Sequence, residues 1–198
     1  EILIKKLMTK YLVIGKNFKF GKGREGNIDK LKEYHSTGDF HLIIPELEEY
    51  DNKHISSTRI RELLKDGDFS DVNNCLGREY MLRGTVTTGE KLGRKLGYPT
   101  ANISLEHDYP LDGVYLCKIC VDSVFYYGLA SVGNKPTYNG KEKILEVFIL
   151  NFDQDIYNKE VEVYFLEMIR NQIKFDSQDE LIKQMNEDHK YAIINSKN

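Results

Sequence analysis

The chain has 198 residues, 31 acidic against 28 basic for a net charge of −3, with 40% hydrophobic and 30% charged side chains. That profile is globular, neither disordered nor collagen-like, and the charge removes any need for a polyanionic partner. One large domain or two small ones fit this length.

The longest uncharged run, Ser123 to Asn134, is short and carries Ser, Tyr and Gly, far from the roughly 20 apolar residues of a membrane-spanning helix. The opening Glu1-Ile2-Leu3-Ile4-Lys5-Lys6 lacks the parts of a secretory signal. Three cysteines, an odd number, make no disulfide framework. The expected location is therefore the cytoplasm, with no membrane partner.

In chain order, Tyr11–Ile14 reads as a buried strand, followed by a Gly/Lys-rich loop and by helical spacing over Ile28–Tyr34. Leu42–Ile44 reads as a second strand, ended by Pro45. Ser56, Ser57 and Thr58 can cap a helix whose apolar face is Ile60, Leu63 and Leu64, with Gly67 as its stop. Residues 1–75 thus read as strand, helix, strand, helix, an α/β pattern.

From Tyr80 the pattern turns to short β-rich runs: Met81–Thr87, Gly113–Val121, Val124–Ser131, Ile144–Leu150 and Val161–Met168, with turn signals at Leu111-Asp112-Gly113 and Tyr138-Asn139-Gly140. Strands in such succession suggest a small closed barrel, since closure removes exposed edges. Ser177-Gln178-Asp179-Glu180 has capping-box form, and Leu181, Ile182, Met185, Ala192 and Ile193 give a last helix an apolar face. The fold class is α+β.

Two glycine-rich stretches could serve phosphate chemistry. Gly21-Lys22-Gly23-Arg24-Glu25-Gly26 fits Gly-x-Gly-x-x-Gly, but a dinucleotide turn needs the first glycine directly after the strand, and Gly15–Phe20 intervene. A flexible basic loop is the better reading. In Gly89-Glu90-Lys91-Leu92-Gly93-Arg94-Lys95-Leu96-Gly97-Tyr98-Pro99-Thr100-Ala101-Asn102, glycines let backbone N–H groups approach an anion. There Lys91, Arg94 and Lys95 add charge, and Thr100 and Asn102 offer oxygen ligands suited to Mg²⁺. A glycine-rich hairpin with solvated lysines accounts for the same spacing. Glu146, amid Ile144, Leu145, Val147 and Phe148, either faces solvent by alternation or is held where it can accept a proton, and periodicity favours the former. Cys117 and Cys120, three apart on a strand, point to opposite faces and read as ordinary strand cysteines.

At these residues the chain resembles the bacterial bifunctional riboflavin kinase/FAD synthetase family. The run Gly89–Asn102, then Gly113-Val114-Tyr115, Gly133-x-x-Pro136-Thr137, Glu146-Val147 and Leu166–Phe175, follow in family order. Leu76-Gly77-Arg78 resembles the join between the two domains, and Ile55–Arg61 the closing ATP-binding motif of the FMN adenylyltransferase domain. The chain departs from the family pattern at Asn17, Glu79 and Asn151, where Asp, Pro and Asp are usual.

The resemblance implies the C-terminal part of an α/β nucleotidyltransferase-like domain over 1–75 and a six-stranded antiparallel riboflavin kinase barrel with a C-terminal helix over 76–198. The chain would then begin partway through the first domain, whose first strand and His-x-x-His motif lie before residue 1. In the kinase, Gly89, Gly93, Arg94, Gly97, Pro99, Thr100 and Asn102 would bind ATP, Thr100 and Asn102 would also hold Mg²⁺, and Glu146 would be the base. Ser56, Ser57, Thr58 and Arg61 would be half of a second nucleotide site. The implied activity is phosphoryl transfer from ATP to riboflavin, giving FMN and ADP. The rivals are full bifunctional activity, a catalytically silent flavin-binding module, and a small barrel that binds nucleic acid. The last expects a basic, aromatic-studded face, whereas residues 76–198 hold fifteen basic and eighteen acidic residues.

Overall fold

A computed structural model describes residues 2–36, 38, 40–89, 93, 97–105, 107, 109–137 and 140–196, with backbone alone for 134–137 and 140–142. The described chain packs as two compact units, residues 1–55 and 56–198. The first is built on strands β1 (Tyr11–Val13) and β2 (His41–Ile43), which pair in parallel across helix α1 (Ile28–Ser36). Ile14, Leu31 and Phe40 are its buried centre. The strand-helix-strand order matches the sequence pattern, with ends shifted by a residue or two, but β1 is not the buried strand expected, since Tyr11 and Val13 are exposed and only Ile14 just beyond it is buried.

The same unit holds a hairpin of β3 (Glu49–Tyr50) and β4 (Lys53–His54) that the sequence pattern does not reveal. Asp51 and Asn52 form its turn at φ 52° and 54°, residues suited to the left-handed region. The Gly21–Gly26 loop closes on itself, because Phe20 and Gly26 exchange backbone hydrogen bonds of 3.0 and 2.9 Å. β1 has ended well before it, so the strand-to-glycine junction of a dinucleotide turn is absent.

In the second unit, helices α2 (Ser57–Asp66) and α3 (Phe69–Leu76) precede the barrel. Ser56 Oγ accepts from the Arg59 N–H at 3.2 Å, capping α2 as the hydroxyl pattern predicts. Gly67 ends that helix at φ 75°, and a Cβ there would lie 2.5 Å from Met168 Cβ. Leu64, Phe69 and Val72 bury against barrel residues, with the Phe69 ring stacked 5.7 Å from Phe165 and edge-on to Tyr115. Packing therefore draws 56–75 to the barrel, whereas the sequence patterns change character at 75/76.

The barrel strands are β5 (Met81–Thr87), β6 (Thr100–Ser104), β7 (Gly113–Val121), β8 (Val124–Thr137), β9 (Gly140–Ile149) and β10 (Glu160–Arg170). All neighbouring pairs are antiparallel and the sheet closes in the order β10-β5-β6-β9-β8-β7. Alternation sends Leu82, Val86, Ile103, Tyr115, Cys117, Ile119, Val132, Leu145, Val147, Val163 and Phe165 inward. Cys117 is buried and Cys120 half-exposed, as opposite faces require. β6 is the strand the hydrophobic pattern misses, since Thr100, Asn102 and Ser104 alternate with only Ala101 and Ile103. The expected turn residues Tyr138 and Asn139 lie outside the described residues.

Helix α4 (Gln178–Asn195) covers part of the barrel's outer face. Ser177 Oγ accepts from the Glu180 N–H at 3.3 Å, while Glu180 accepts from the Asp176 N–H at 3.3 Å, one residue earlier than in the standard capping box. Beneath the helix a second apolar layer joins Val114, Leu116, Leu129, Leu150 and Ala192. Asp188, on the apolar side of α4, is buried and held by Arg170, whose Nε lies 3.0 Å from both carboxylate oxygens and whose Nη2 lies 2.7 Å from Oδ2. No described helix is long and apolar enough to cross a membrane.

Burial raises the Tyr80 phenol well above its usual pKa and raises that of Tyr115, which accepts a hydrogen bond from the Asp112 N–H at 3.0 Å. Because the folded values are the higher ones, this stability is complete below the ordinary tyrosine pKa of about 10 and is lost as pH rises beyond it. Denaturation in a series from neutral to about pH 11 should show that fall, and Tyr80→Phe should make it shallower. An identical pH profile in Tyr80→Phe would contradict the assignment.

Candidate functional site

β6 serves both the core, through Ala101 and Ile103, and a cavity, through Thr100 and Asn102. Pro99 leads into it, and Thr100 and Asn102, two apart, share its outward face while Ile103 turns inward. A cavity of about 360 Å³ opens here, lined by Gly89, Pro99, Thr100, Asn102 and, from the segment joining β9 to β10, by Phe152, Asp153, Asp155 and Tyr157. Asp155 Oδ1 accepts from the Tyr157 N–H at 3.0 Å, which folds that segment into a turn at the cavity wall.

Register fixes what lies beside these oxygens. Asn102 pairs directly with Glu146 on β9, and Glu146 pairs with Ser131 on β8. Leu145 and Val147 are fully buried in the barrel, so Glu146 between them stands on the outer face, half-buried, in one row with Asn102 and Ser131. Alternation does turn Glu146 out of the core, yet the face it joins is the one carrying Asn102. Glu146 is not itself part of the lining of the 360 Å³ cavity, which it adjoins through Asn102.

The glycines also allow close packing next to Thr100 and Asn102. A Cβ on Gly89 would fall 2.3–2.6 Å from the Asn102 amide atoms, and one on Gly93 would fall 2.4 Å from the Tyr98 carbonyl oxygen and 3.5 Å from Thr100 Oγ1. Both glycines let backbone lie close to Asn102 and to Tyr98 and Thr100. Gly97 supplies a left-handed turn at φ 85°, and the Tyr98 N–H donates to the Gly93 carbonyl at 2.8 Å. Arg94, Lys91 and Lys95, expected to add positive charge, lie outside the described residues, as do Glu90, Leu92 and Leu96.

Tyr98 anchors this loop, a role its sequence position does not announce. Its ring meets Phe148 edge-on at 5.2 Å and His189 at 5.7 Å, and its hydroxyl donates to the Asn186 side chain on α4. Phe148 pairs across strands with Thr100, so the loop, α4 and β9 converge on the same outer patch. The sequence signal for α4's part was Asp188, a carboxylate on an otherwise apolar helical stripe.

Thr100 and Asn102 offer a hydroxyl and an amide oxygen, neutral donors that suit a hard cation arriving with its own phosphate and water ligands. Among the described residues no cluster of three His, Cys, Asp or Glu side chains could hold a metal by itself. Of the second proposed nucleotide set, Ser56, Ser57, Thr58 and Arg61 all lie exposed at the start of α2, where the Ser56 hydroxyl serves as the helix cap.

Comparison with known proteins bears on the same regions. A family model described as riboflavin kinase matches residues 76–194, and one described as FAD synthetase matches residues 1–59. Among curated relatives, the bifunctional riboflavin kinase/FMN adenylyltransferase of Buchnera aphidicola subsp. Schizaphis graminum is 42% identical over 193 residues, and that of Haemophilus influenzae 41% over 192. Each alignment covers 95% of this chain and 62% of the relative. The protein of that name from Escherichia coli K12 is 33% identical over 190 residues, 95% of this chain and 61% of its own. The chain thus spans about three-fifths of the length of these relatives. A solved structure of a macrolide-efflux protein from Streptococcus pneumoniae is 38% identical with a TM-score of 0.72, over 91% of this chain and 59% of that one.

The two glycine contacts predict different outcomes. Gly93→Ala meets a backbone carbonyl that cannot swing away and should cost more thermal stability than Gly89→Ala, which meets a side-chain amide. Crystal structures should show Asn102 displaced in Gly89→Ala; an unmoved amide, or equal melting temperatures for the two variants, would contradict this.

Proposed function

The chain belongs to the riboflavin kinase family, and from that premise we propose that it transfers the γ-phosphoryl group of ATP to the 5′-hydroxyl of riboflavin, yielding FMN and ADP. The observation that carries the reading is the direct cross-strand pairing of Asn102 with Glu146 on one half-buried outer face. A nucleotide-holding oxygen and a proton acceptor are thereby neighbours. Phosphoryl transfer asks chiefly for positioning and charge neutralisation, plus one group to take the hydroxyl proton.

In this reading Gly89, Gly93, Arg94, Gly97 and Pro99 shape the ATP-binding loop, and Thr100 and Asn102 hold Mg²⁺ together with the triphosphate. The ion, when bound, neutralises charge on the phosphoryl group in transfer. Glu146 accepts the ribityl hydroxyl proton as that oxygen bonds to the γ-phosphorus and the bond to ADP breaks. The proton ends on the Glu146 carboxyl and leaves to solvent afterwards.

We assign residues 1–75 to the C-terminal part of an FMN adenylyltransferase domain and 76–198 to the riboflavin kinase domain. Ser56, Ser57, Thr58 and Arg61 are then one side of an adenylyl-transfer site, at a helix start suited to phosphate. The partners are small molecules rather than nucleic acid or membrane, and three free thiols suit a cytoplasmic location.

Incubation with riboflavin, ATP and Mg²⁺ tests the kinase reading. The wild-type chain should form FMN, and Glu146→Gln should lose turnover by roughly 100-fold or more while still binding nucleotide. Thr100→Val and Asn102→Ala should instead raise the KM for Mg-ATP. Tight flavin binding without turnover would make the chain a silent flavin-binding module, and full activity in Glu146→Gln would remove that residue's role.

With FMN and ATP, these 198 residues assayed alone should not accumulate FAD. None of the five histidines stands in a His-x-x-His pair, so the donors that would face Ser56–Arg61 across the triphosphate are missing from this sequence. FAD formed over multiple turnovers would overturn that assignment.

A further inference from the structure

One residue, Tyr98, holds the glycine-rich segment from two sides. Its backbone N–H donates to the Gly93 carbonyl at 2.8 Å, and its own carbonyl oxygen lies where it would meet a Gly93 Cβ at 2.4 Å. Gly93 is thereby fixed beside Thr100, whose Oγ1 is 3.5 Å from the same Cβ position. The Tyr98 side chain reaches the other way, to α4. Its hydroxyl donates to Asn186 Oδ1, and its ring meets His189, on the next turn of the helix, edge-on at 83°. His189 also stands edge-on to Phe148 at 5.5 Å, and Phe148 is the cross-strand partner of Thr100.

α4 is itself pinned at this point. Asp188, between Asn186 and His189 in sequence, is buried and bound by Arg170 of β10 and by Gln184. The place of the helix on the barrel is therefore passed through Tyr98 to Gly93 and Thr100. Yet α4 supplies none of the described residues that line the cavity at Thr100 and Asn102. We propose that α4 sets the affinity for nucleotide at that cavity without touching it, with Asn186 and His189 as positioning residues that act through Tyr98. The proposal rests on the placing of ATP at Thr100 and Asn102 given above. Such coupling is reciprocal: if a docked helix favours bound nucleotide, bound nucleotide favours a docked helix.

Mg-ADP titration and amide hydrogen exchange test this without turnover. Tyr98→Phe, which removes only the hydroxyl, and Asn186→Ala, which removes its acceptor, should each weaken Mg-ADP binding about three- to tenfold, the range one hydrogen bond carries. The double variant should bind no more weakly than either single one, since both remove the same contact. Asn186→Asp keeps an acceptor oxygen and should stay within about twofold of the wild type. In steady state, Tyr98→Phe and Asn186→Ala should raise the KM for Mg-ATP by the same factor, with kcat and the KM for riboflavin changed by less than about twofold. Mg-ADP should slow amide exchange in α4 of the wild type and leave it unchanged in Tyr98→Phe. If Tyr98 serves only to fasten the helix, both variants will melt earlier yet bind Mg-ADP like the wild type, and exchange in α4 will ignore the nucleotide. That result overturns the proposal. Weakened Mg-ADP binding in the variants of a chain that forms no FMN would remove the kinase reading and leave the coupling standing, whereas a wild type that binds no Mg-ADP overturns both.

Discussion

Everything at the candidate site depends on one constraint, the closure of the barrel through the five residues of β6. A six-stranded sheet cannot close without a strand between β5 and β9, and here that strand is Thr100–Ser104. Its pairing sets Thr87 opposite Asn102 on one side and Glu146 opposite Asn102 on the other. A shift of one residue in that register would turn Thr100 and Asn102 into the barrel and Ala101 and Ile103 to its outer face. The apolar partners of Ile103 inside the barrel oppose such a slip, so core packing and site geometry are one property of the same strand.

The outer face is organised by a second apolar layer. α4 lies over Val114, Leu116, Leu129 and Leu150, and its hold on the sheet includes the Arg170–Asp188 pair, whose side chains are only 16% and 6% exposed. Gln184 also donates to Asp188 at 3.0 Å, so the buried carboxylate has partners on both oxygens. A charge pair so enclosed adds little net stability over an apolar substitute, because desolvation offsets attraction, but it is exacting about geometry. It fixes where α4 lies, hence where Asn186 and His189 meet Tyr98, and through Tyr98 it orients the loop that carries Gly93 and Gly97 toward Thr100.

Much of this was legible in the sequence, for identifiable reasons. Five barrel strands follow from dense β-branched and aromatic alternation, and the caps at Ser56 and Ser177 follow from hydroxyls three residues ahead of the N–H groups they accept from. β6 was hidden because its inward residues are only Ala101 and Ile103, and α3 because eight residues show too little period to declare a helix. The β3–β4 hairpin rests on an Asp51-Asn52 turn between two-residue strands, Glu49–Tyr50 and Lys53–His54, too short to show an apolar alternation. Glu146 is the instructive case: alternation alone counted it as a solvated carboxylate, and the resemblance alone made it a base. Register supplies what neither had, by placing it beside Asn102. The role of Asp188 depends on a contact between distant segments, Arg170 at the end of β10 with α4, and periodicity carries no information about that.

The central claim is that the outer-face row of Asn102, Glu146 and Ser131 is where the phosphoryl group moves. A crystal structure of the chain with FMN, ADP and Mg²⁺ addresses it most directly. The account predicts the ribityl 5′ oxygen within hydrogen-bond reach of a Glu146 carboxylate oxygen, about 2.6–3.2 Å, with the nucleotide phosphates at Thr100 and Asn102. A flavin whose 5′ oxygen lies on another face of the barrel, away from Glu146, would contradict it.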